Sequence, residues 1–273
     1  MRERLEWVTS QLCCWKRLAA ISGIAVLAIV AQRLVEAQRD IHRWSSLQAT
    51  GVLRVGIDPS IAGVSFFDAA GNWAGYDADV TRRIVQQLGL TAQPVPVGYD
   101  GFYDALQTRR VDVSLSALTP ESRGASFTYS RPYFDNGPRL VGAAPDALEG
   151  KTLAVALGSE ADRLARYLER RTAHLHVQTF AEEADAIRAW QIGEADAVLV
   201  SAATAVELGC SALAPPSPKD CASLRPVPWV IALRGEDTRL LEAINRAIGA
   251  LQEAGQLDQL ALRWFAQRSS PSP

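Results

Sequence analysis

Residues 51–90 read GVLRVGIDPSIAGVSFFDAAGNWAGYDADVTRRIVQQLGL, and this stretch contains the pattern that decides the fold. Its first part, Val52–Ile57, is a short apolar run of the kind that forms a buried strand. Its last part, Tyr76–Leu88, repeats apolar residues at the spacing of an amphipathic helix. Strands that alternate with helices form parallel sheets covered by helices, so the stretch predicts an α/β fold.

The same alternation continues through the rest of the chain. We predict further strands at 92–97, 111–115, 153–156, 176–179, 197–200 and 229–233, an extended stretch at 140–143, and helices at 102–108, 160–171, 181–192, 238–253 and 258–267. Two rounds of alternation are followed by a return segment. We therefore expect two lobes, each built on its own sheet of parallel strands.

Composition excludes several classes of function. The 273 residues carry a formal net charge of -2, whereas a nucleic-acid-binding surface needs a basic patch. Neither the spacing of the four cysteines nor the three histidines supplies the four ligands of a zinc site. No glycine-rich phosphate loop is present, so we expect no cofactor and no metal.

The N-terminal segment indicates export. Leu18–Ala31 is uncharged and apolar, and Lys16 and Arg17 precede it. Fourteen residues are fewer than the roughly 20 that span a bilayer, so both a cleaved signal peptide and an uncleaved anchor stay open. The positive charge places the following chain outside the cytoplasm. We expect a cytoplasmic tip with an anchor or signal at 1–35, a polar stalk at 36–50 and a disordered tail at 268–273.

The cysteines form two pairs along the sequence. Cys13 and Cys14 precede the apolar run, on its predicted cytoplasmic side. Cys210 and Cys221 flank SALAPPSPKD, a proline-rich loop. In an oxidising compartment we expect a disulfide between Cys210 and Cys221 to restrain this loop, and the alternative is two unpaired thiols.

Three stretches resemble the family-3 bacterial solute-binding proteins, which are periplasmic receptors of polar amino acid transporters. They are the opening stretch quoted above, GYDGFYDALQTRRVDVSLSALT at 98–119, and WVIALRGEDTRLLEAINRAIGALQEAGQLDQLALRWF at 229–265. The resemblance implies a type 2 periplasmic-binding fold, with lobe 1 at 51–139 and 228–267, lobe 2 at 140–227, and two hinge crossings. It also implies a receptor that closes on a small carboxylate, an amino acid or a similar solute, and delivers it to the permease of an ABC transporter.

The sequence SALTPESR, Ser116–Arg123, carries the strongest local chemistry of lobe 1. Thr119 suits an N-cap and Pro120 the first helical position, so we expect a helix start whose free N–H groups bind an anion. The resemblance places a carboxylate-binding arginine here, at Arg123, although the spacing is one residue shorter than in the family. The alternative is a surface Arg123 paired with Glu121. Ser116, Leu118 and Thr119 are the other ligand-binding candidates of this segment.

Lobe 1 offers further candidates around its first strand. Asp58 directly follows that strand and contacts the ligand in our interpretation, with capping of the following turn as the alternative. Phe66, Phe102 and Tyr99 are candidate apolar walls, with core packing as the alternative. Relatives commonly carry a stacking aromatic three residues after Asp58, where this chain has Ile61.

In lobe 2, Gly158-Ser159 follows a strand and opens a helix, so Ser159 and nearby N–H groups are candidates to complete the anion site. Ser201 follows the strand GEADAVLV, where amino acid receptors of the family place an aspartate for the ligand ammonium. A serine does not neutralise that charge. Either Asp58 or another acid replaces the aspartate, or the ligand has no α-amino group.

Two other functions remain open from the sequence. A few proteins of this fold are dehydratases acting on small cyclic carboxylates, but His42, His174 and His176 do not converge with an acid–base partner in the sequence pattern. The second alternative is a ligand-sensing module that reports to a signalling partner. We expect no enzyme activity.

Overall fold

The computed structural model describes residue 27 and residues 30–122, 124–210 and 221–265. Most of the predicted membrane segment, Cys13, Cys14, Arg123, the proline-rich loop and the predicted tail therefore lie outside the described residues. In chain order the elements are α1 (30–50), β1 (Val52–Ile57), β2 (Phe66–Phe67), β3 (Trp73–Ala74), α2 (Tyr76–Leu88), β4 (Thr91–Pro96), α3 (Phe102–Gln107), β5 (Val113–Ser114), β6 (Phe127–Tyr129), β7 (Phe134–Asp135), β8 (Arg139–Val141), β9 (Thr152–Ala156), α4 (Glu160–Glu169), β10 (His176–Phe180), α5 (Glu183–Gln191), β11 (Ala197–Val200), α6 (Ala202–Glu207), β12 (Cys221–Ser223), β13 (Pro228–Trp229), β14 (Ala232–Arg234), α7 (Thr238–Glu253) and α8 (Gln256–Phe265).

Two five-stranded sheets organise the chain, in the orders β4-β1-β5-β14-β6 and β10-β9-β11-β8-β12. We call the first sheet with its helices lobe 1 and the second lobe 2. Three neighbouring strands of each sheet are parallel, namely β4-β1-β5 and β10-β9-β11. The remaining pairings are antiparallel, because β14 and β8 each run opposite to both of their neighbours. The expectation of purely parallel sheets is therefore wrong at one side of each sheet, where the chain returns after crossing between the lobes.

The chain crosses between the two sheets twice, once from β6 to β8 and once from β12 to β14. Each crossing contains a two-residue strand, and these strands, β7 and β13, pair antiparallel. Phe134 and Trp229 of this pair are buried, with ring centroids 4.7 Å apart. Tyr76 of α2 and Phe265 of α8 pack against the same rings. The predicted strand 229–233 is thus divided, because its first part belongs to the crossing and its last part to the lobe 1 sheet.

The short helix α6 follows lobe 2 strand β11 but packs on lobe 1. Ala202 and Val206 belong to the apolar cluster that also contains Val55, Ile244 and Phe265 of lobe 1. The other apolar clusters that contain lobe 2 residues include Leu140, Leu153 and Val198. Contact between the lobes therefore begins directly after Ser201.

Helix α1 lies against lobe 1 over its second half, rather than standing free as a stalk. Trp44 and Leu47 pack on the lobe 1 core. Asp40 is buried and accepts hydrogen bonds from Thr238 Oγ1 at 2.5 Å and Arg239 N at 3.2 Å. Arg43 Nε lies 2.8 Å from Asp237 Oδ1. Polar residues at 36–50 thus contact the start of α7, which the sequence pattern did not indicate.

No helix in the described part of the chain has both the length and the apolar character needed to cross a bilayer. The predicted disulfide is confirmed, since Cys210 and Cys221 are bonded with Cα atoms 5.8 Å apart. Cys221 begins β12, the edge strand of the lobe 2 sheet. The bond thus ties the segment after α6 to that edge.

Candidate functional site

The strands β1 and β5 end side by side, and we call this end of the sheet the carboxyl edge of lobe 1. Asp58 follows β1, and its N–H donates to Ser116 Oγ at 3.0 Å. Ser116 is fully buried and follows β5 by two residues. The parallel arrangement of β1 and β5 therefore brings these two ligand-binding candidates together. Such edges are where α/β proteins bind ligands.

The Asp58 carboxylate is held by the turns around it. Oδ1 accepts from Ser60 N at 3.0 Å, and Oδ2 accepts from Tyr99 N at 3.2 Å. The hydrogen bonds with Ser60, followed by that from Tyr99, hold the pKa of Asp58 below its usual range. Its half-exposed carboxylate therefore places a negative charge at this edge. The carboxylate also caps the turn that follows β1, which was the alternative role considered for Asp58.

The loop after β5 is fixed by backbone hydrogen bonds on both sides. Ala117 N donates to Asp77 Oδ2 at 3.0 Å, and Leu118 O accepts from Val230 N at 2.8 Å. Ala117 has a φ of 50°, a left-handed conformation that is uncommon for a residue other than glycine. The side chain of Leu118 is fully buried in the core. The side chain of Leu118 therefore anchors the loop to the core of lobe 1 and is not exposed to a ligand.

The predicted helix start at Thr119 is wrong. Residues 118–122 have no regular structure, and only a short 3-10 turn, Gly124–Ser126, precedes β6. Because β6 begins at Phe127, only seven residues separate it from Thr119. Thr119 is half-buried in the loop and caps no helix, and Arg123 lies outside the described residues.

The candidate aromatic walls have different positions. Phe102 is fully buried, in one apolar cluster with Leu106 and Leu118, so it is a core residue and not an open wall. Phe66 is half-buried, with its ring 6.0 Å from that of Trp264 of α8 in an edge-on arrangement. Tyr99 is 38% exposed and packs on Phe102. Of these rings, Tyr99 is the one that stays open close to Asp58.

The sequence analysis missed Asp77, the carboxylate beneath the loop. Asp77 is fully buried in the first turn of α2, and burial raises its pKa to about 7. The Tyr133 hydroxyl interacts with this carboxyl group, but neither the hydroxyl nor Asp77 Oδ1 completes a hydrogen bond of good geometry. Tyr133 directly precedes the crossing strand β7. The available signal was an aspartate on the apolar face of α2, next to Tyr76 and Val80.

In lobe 2, Ser159 is the N-cap of α4, as its sequence indicates. Its Oγ accepts from Asp162 N at 3.0 Å and donates to Ala156 O at 2.7 Å. However, Gly158 N donates to Asp162 Oδ2 at 3.0 Å. The predicted anion site is therefore occupied in part by the protein's own carboxylate, which repels a second anion. Ser159 is better placed to orient the turn than to bind a carboxylate.

Ser201 lies at the corresponding edge of lobe 2, directly after β11, and caps α6 through a bond from Thr204 N at 3.2 Å. Its own N–H donates to Glu183 Oε1 at 2.6 Å. Glu183 begins α5, after β10. The structure thus places a carboxylate, which the sequence analysis did not single out, beside the serine.

A cavity of about 530 Å³ lies elsewhere, between α1 and lobe 1. Its lining includes Val52, Arg54 and Asp112, which lie at the opposite ends of β1 and β5 from Asp58 and Ser116. The arginines and acids in it are paired, for example Arg54 with Asp112 at 2.6 Å. This cavity is therefore separate from the carboxyl edges. All three histidines are exposed, and the described residues contain no cluster of potential metal ligands.

Comparison with known proteins gives a consistent result. The family model described as "Bacterial extracellular solute-binding proteins, family 3" matches residues 53–267. The L-cystine-binding protein TcyJ of Escherichia coli (strain K12) is 26% identical over 255 residues, covering 90% of this chain and 94% of that protein. The L-arginine-binding protein of Pseudomonas aeruginosa is 29% identical over 231 residues, covering 78% and 88%.

A solved structure, the "Ancestral Cationic Amino Acid Solute Binding Protein (AncCDT-1)", has a TM-score of 0.52 at 26% identity. The match covers 82% of this chain and 99% of that one. The matched family region includes both five-stranded sheets and both crossings described above. The predicted α/β architecture with two lobes is therefore confirmed.

Proposed function

The chain belongs to the bacterial extracellular solute-binding proteins of family 3, and from this premise we propose that it captures an amino acid for an ABC transporter. The observation that carries the proposal is the family match over residues 53–267, which spans both lobes. The relatives named for L-cystine and L-arginine support an amino acid ligand. Membership also supports a position outside the cytoplasm.

We place the ligand between the two carboxyl edges. The supporting geometry is the pairing of Asp58 with Ser116 in lobe 1 and the position of Ser201 at the edge of lobe 2. Thr119, Arg123, Ser159 and Phe66 remain candidate contacts, with Arg123 as the proposed partner of the ligand carboxylate. Phe102 and Leu118 support this surface from the core.

Closure of the lobes requires a hinge, and the paired crossings β7 and β13 are suited to that role. We propose that lobe 1 comprises residues 51–139 and 228–267, and that lobe 2 comprises residues 140–227. Anchoring through the apolar N-terminal run, or its use as a signal peptide, is likewise a proposal. The permease of the transporter is the proposed protein partner.

We propose binding without turnover. The relatives described above are named as binding proteins, and their names include no reaction. A dehydratase needs an acid–base pair on its substrate. The exposed His174 and His176 lie at the start of β10, the end of that strand opposite the carboxyl edge.

The test is ligand-induced stabilisation. We expect L-arginine or L-cystine to raise the melting temperature of the wild-type protein, and the same ligand to have little effect on Arg123→Ala. The matched control is Arg246→Ala, an exposed arginine of α7, which should keep the wild-type response. The absence of stabilisation by any amino acid rejects the proposal. Mass spectrometry of the bound ligand after long incubation checks that it is unchanged.

A further inference from the structure

The carboxylate of Glu183 is held in a fixed position at the carboxyl edge of lobe 2. Its Oε1 accepts from Ser201 N at 2.6 Å, and its Oε2 accepts from Ser201 Oγ at 3.3 Å. Thr204 Oγ1 also donates to Oε2. These bonds come from the cap and first turn of α6, so the side chain of Glu183 spans from α5 to α6. The carboxylate is therefore preorganised.

The groups that hold Glu183 are neutral. In the described part of the chain, no lysine, arginine or histidine forms an ion pair with it. Two other half-buried or buried acids at strand or helix ends do have an arginine partner, since Asp135 pairs with Arg139 at 2.7 Å and Asp162 with Arg166 at 3.3 Å. Among the described residues no cation therefore compensates the Glu183 carboxylate, and a half-buried carboxylate of this kind is stabilised by an external cation.

The position of Glu183 makes this charge available to a ligand. The strand order β10-β9-β11 places the ends of β10 and β11 on either side of β9. Leu157, directly after β9, is 63% exposed and offers an apolar surface between them. Ala202, directly after Ser201, and Ala117 of the lobe 1 loop belong to the same apolar cluster. The edge that carries Glu183 therefore meets the lobe that carries Asp58.

We propose that Glu183 binds a protonated nitrogen of the ligand, an ammonium or a guanidinium, at the edge of lobe 2. This inference rests on the proposed function and makes it more specific, since it selects amino acids with a cation that reaches lobe 2. Ser201 and Thr204 orient the carboxylate and leave its charge intact. Glu183 is then a residue that determines specificity, supplied by α5 and not by the turn after β11.

The test compares Glu183→Gln with Glu182→Gln, an exposed neighbour whose side chain caps nothing. Titration calorimetry with L-arginine and L-cystine should show affinity reduced about 10- to 100-fold in Glu183→Gln and unchanged in Glu182→Gln. Two analogues of arginine identify the nitrogen. If the α-ammonium is the partner, the substitution weakens L-citrulline and leaves 5-guanidinovalerate unaffected, and the guanidinium gives the reverse pattern.

A purely structural role for Glu183 predicts another outcome. In that case the loss of affinity in Glu183→Gln is accompanied by a lower melting temperature. Introducing a negative charge by Ser201→Asp then has no effect on binding. We expect the double variant Glu183→Gln/Ser201→Asp to recover affinity, because aspartate both caps α6 and restores the charge. Equal affinity of wild type and Glu183→Gln overturns the inference but not the proposed function. Failure of the wild type to bind any amino acid overturns both.

Discussion

The backbone N–H of Ala117 donates to the buried carboxylate of Asp77 at 3.0 Å, and this bond joins the first turn of α2 to the loop of the candidate site. Asp77 lies beneath the loop and Tyr133 lies beside it, at the start of a crossing. The loop and the crossing therefore share one buried carboxylate.

This arrangement predicts an unusual dependence of stability on pH. An unfolded aspartate ionises near pH 3.8, whereas folded Asp77 has a pKa of about 7, so between these values the folded state binds a proton that the unfolded state has lost. Its contribution to stability is complete below pH 4 and is lost as pH rises through 7. The free energy of unfolding of the wild type should therefore fall as pH rises, and we expect Asp77→Asn to remove about 2 to 4 kcal/mol of this fall. Urea unfolding at pH 5 and pH 8 measures it, with the exposed Asp100→Asn as control. Parallel pH profiles for wild type and Asp77→Asn contradict the prediction.

Ser116 and Ser130 allow a matched comparison of two buried hydroxyl groups. Ser116 Oγ accepts from Asp58 N, and Ser130 Oγ accepts from Ile231 N, each at 3.0 Å. We expect either alanine substitution to lower the free energy of unfolding by about 1 to 2 kcal/mol. Only Ser116→Ala should also weaken binding of L-arginine or L-cystine, because it releases Asp58. Equal affinity in the two variants shows that the bond to Asp58 does not organise the site.

The disulfide should contribute measurably to stability. Cys210 and Cys221 are 11 residues apart, and closing a loop of that size restrains the unfolded chain by about 3 kcal/mol. We expect reductant to lower the melting temperature of the wild-type protein. Cys210→Ser/Cys221→Ser should melt at the lower temperature with and without reductant. If reduction leaves wild-type melting unchanged, the bond does not restrain the loop.

Docking of α1 depends on Asp40. Its carboxylate accepts from Thr238 Oγ1 and Arg239 N and so caps α7 from another helix. We expect Asp40→Ala to lower the free energy of unfolding by about 1 to 3 kcal/mol. Glu36→Ala is the control, because Glu36 makes exposed contacts within α1, an ion pair with Arg33 and a hydrogen bond from Gln32. Limited proteolysis should cut the helix faster in Asp40→Ala alone.

Much of the fold was predictable because most strands and helices show a periodicity of apolar residues that can be recognised within a short stretch of sequence. The bounds of β1, α2, β11 and α7 agree with the structure. The crossing strands β7 and β13 were not predicted, since two-residue strands have no periodicity of their own. Docking of α1 was also missed, because Asp40 and Arg43 are polar residues whose burial depends on partners about 200 positions later.

The site was less predictable from sequence for the same reason. Asp58 and Ser116 lie close together because they follow adjacent parallel strands, and the alternation of strands and helices in the sequence can indicate such strands. The role of Phe102 could not be read locally, since core and cleft aromatics have the same spacing. The pairing of Glu183 with Ser201 joins residues from two different helix starts, and only the strand order places them together.

The docked helix also makes α1 and lobe 1 one unit. Because Asp40 and Arg43 bond to the start of α7, helix α1 keeps one orientation relative to lobe 1. In the hinge closure that we propose, lobe 2 then moves relative to a body that consists of lobe 1 and α1. On this proposal, a partner that binds on the side of α1 detects the ligand through the changed position of lobe 2.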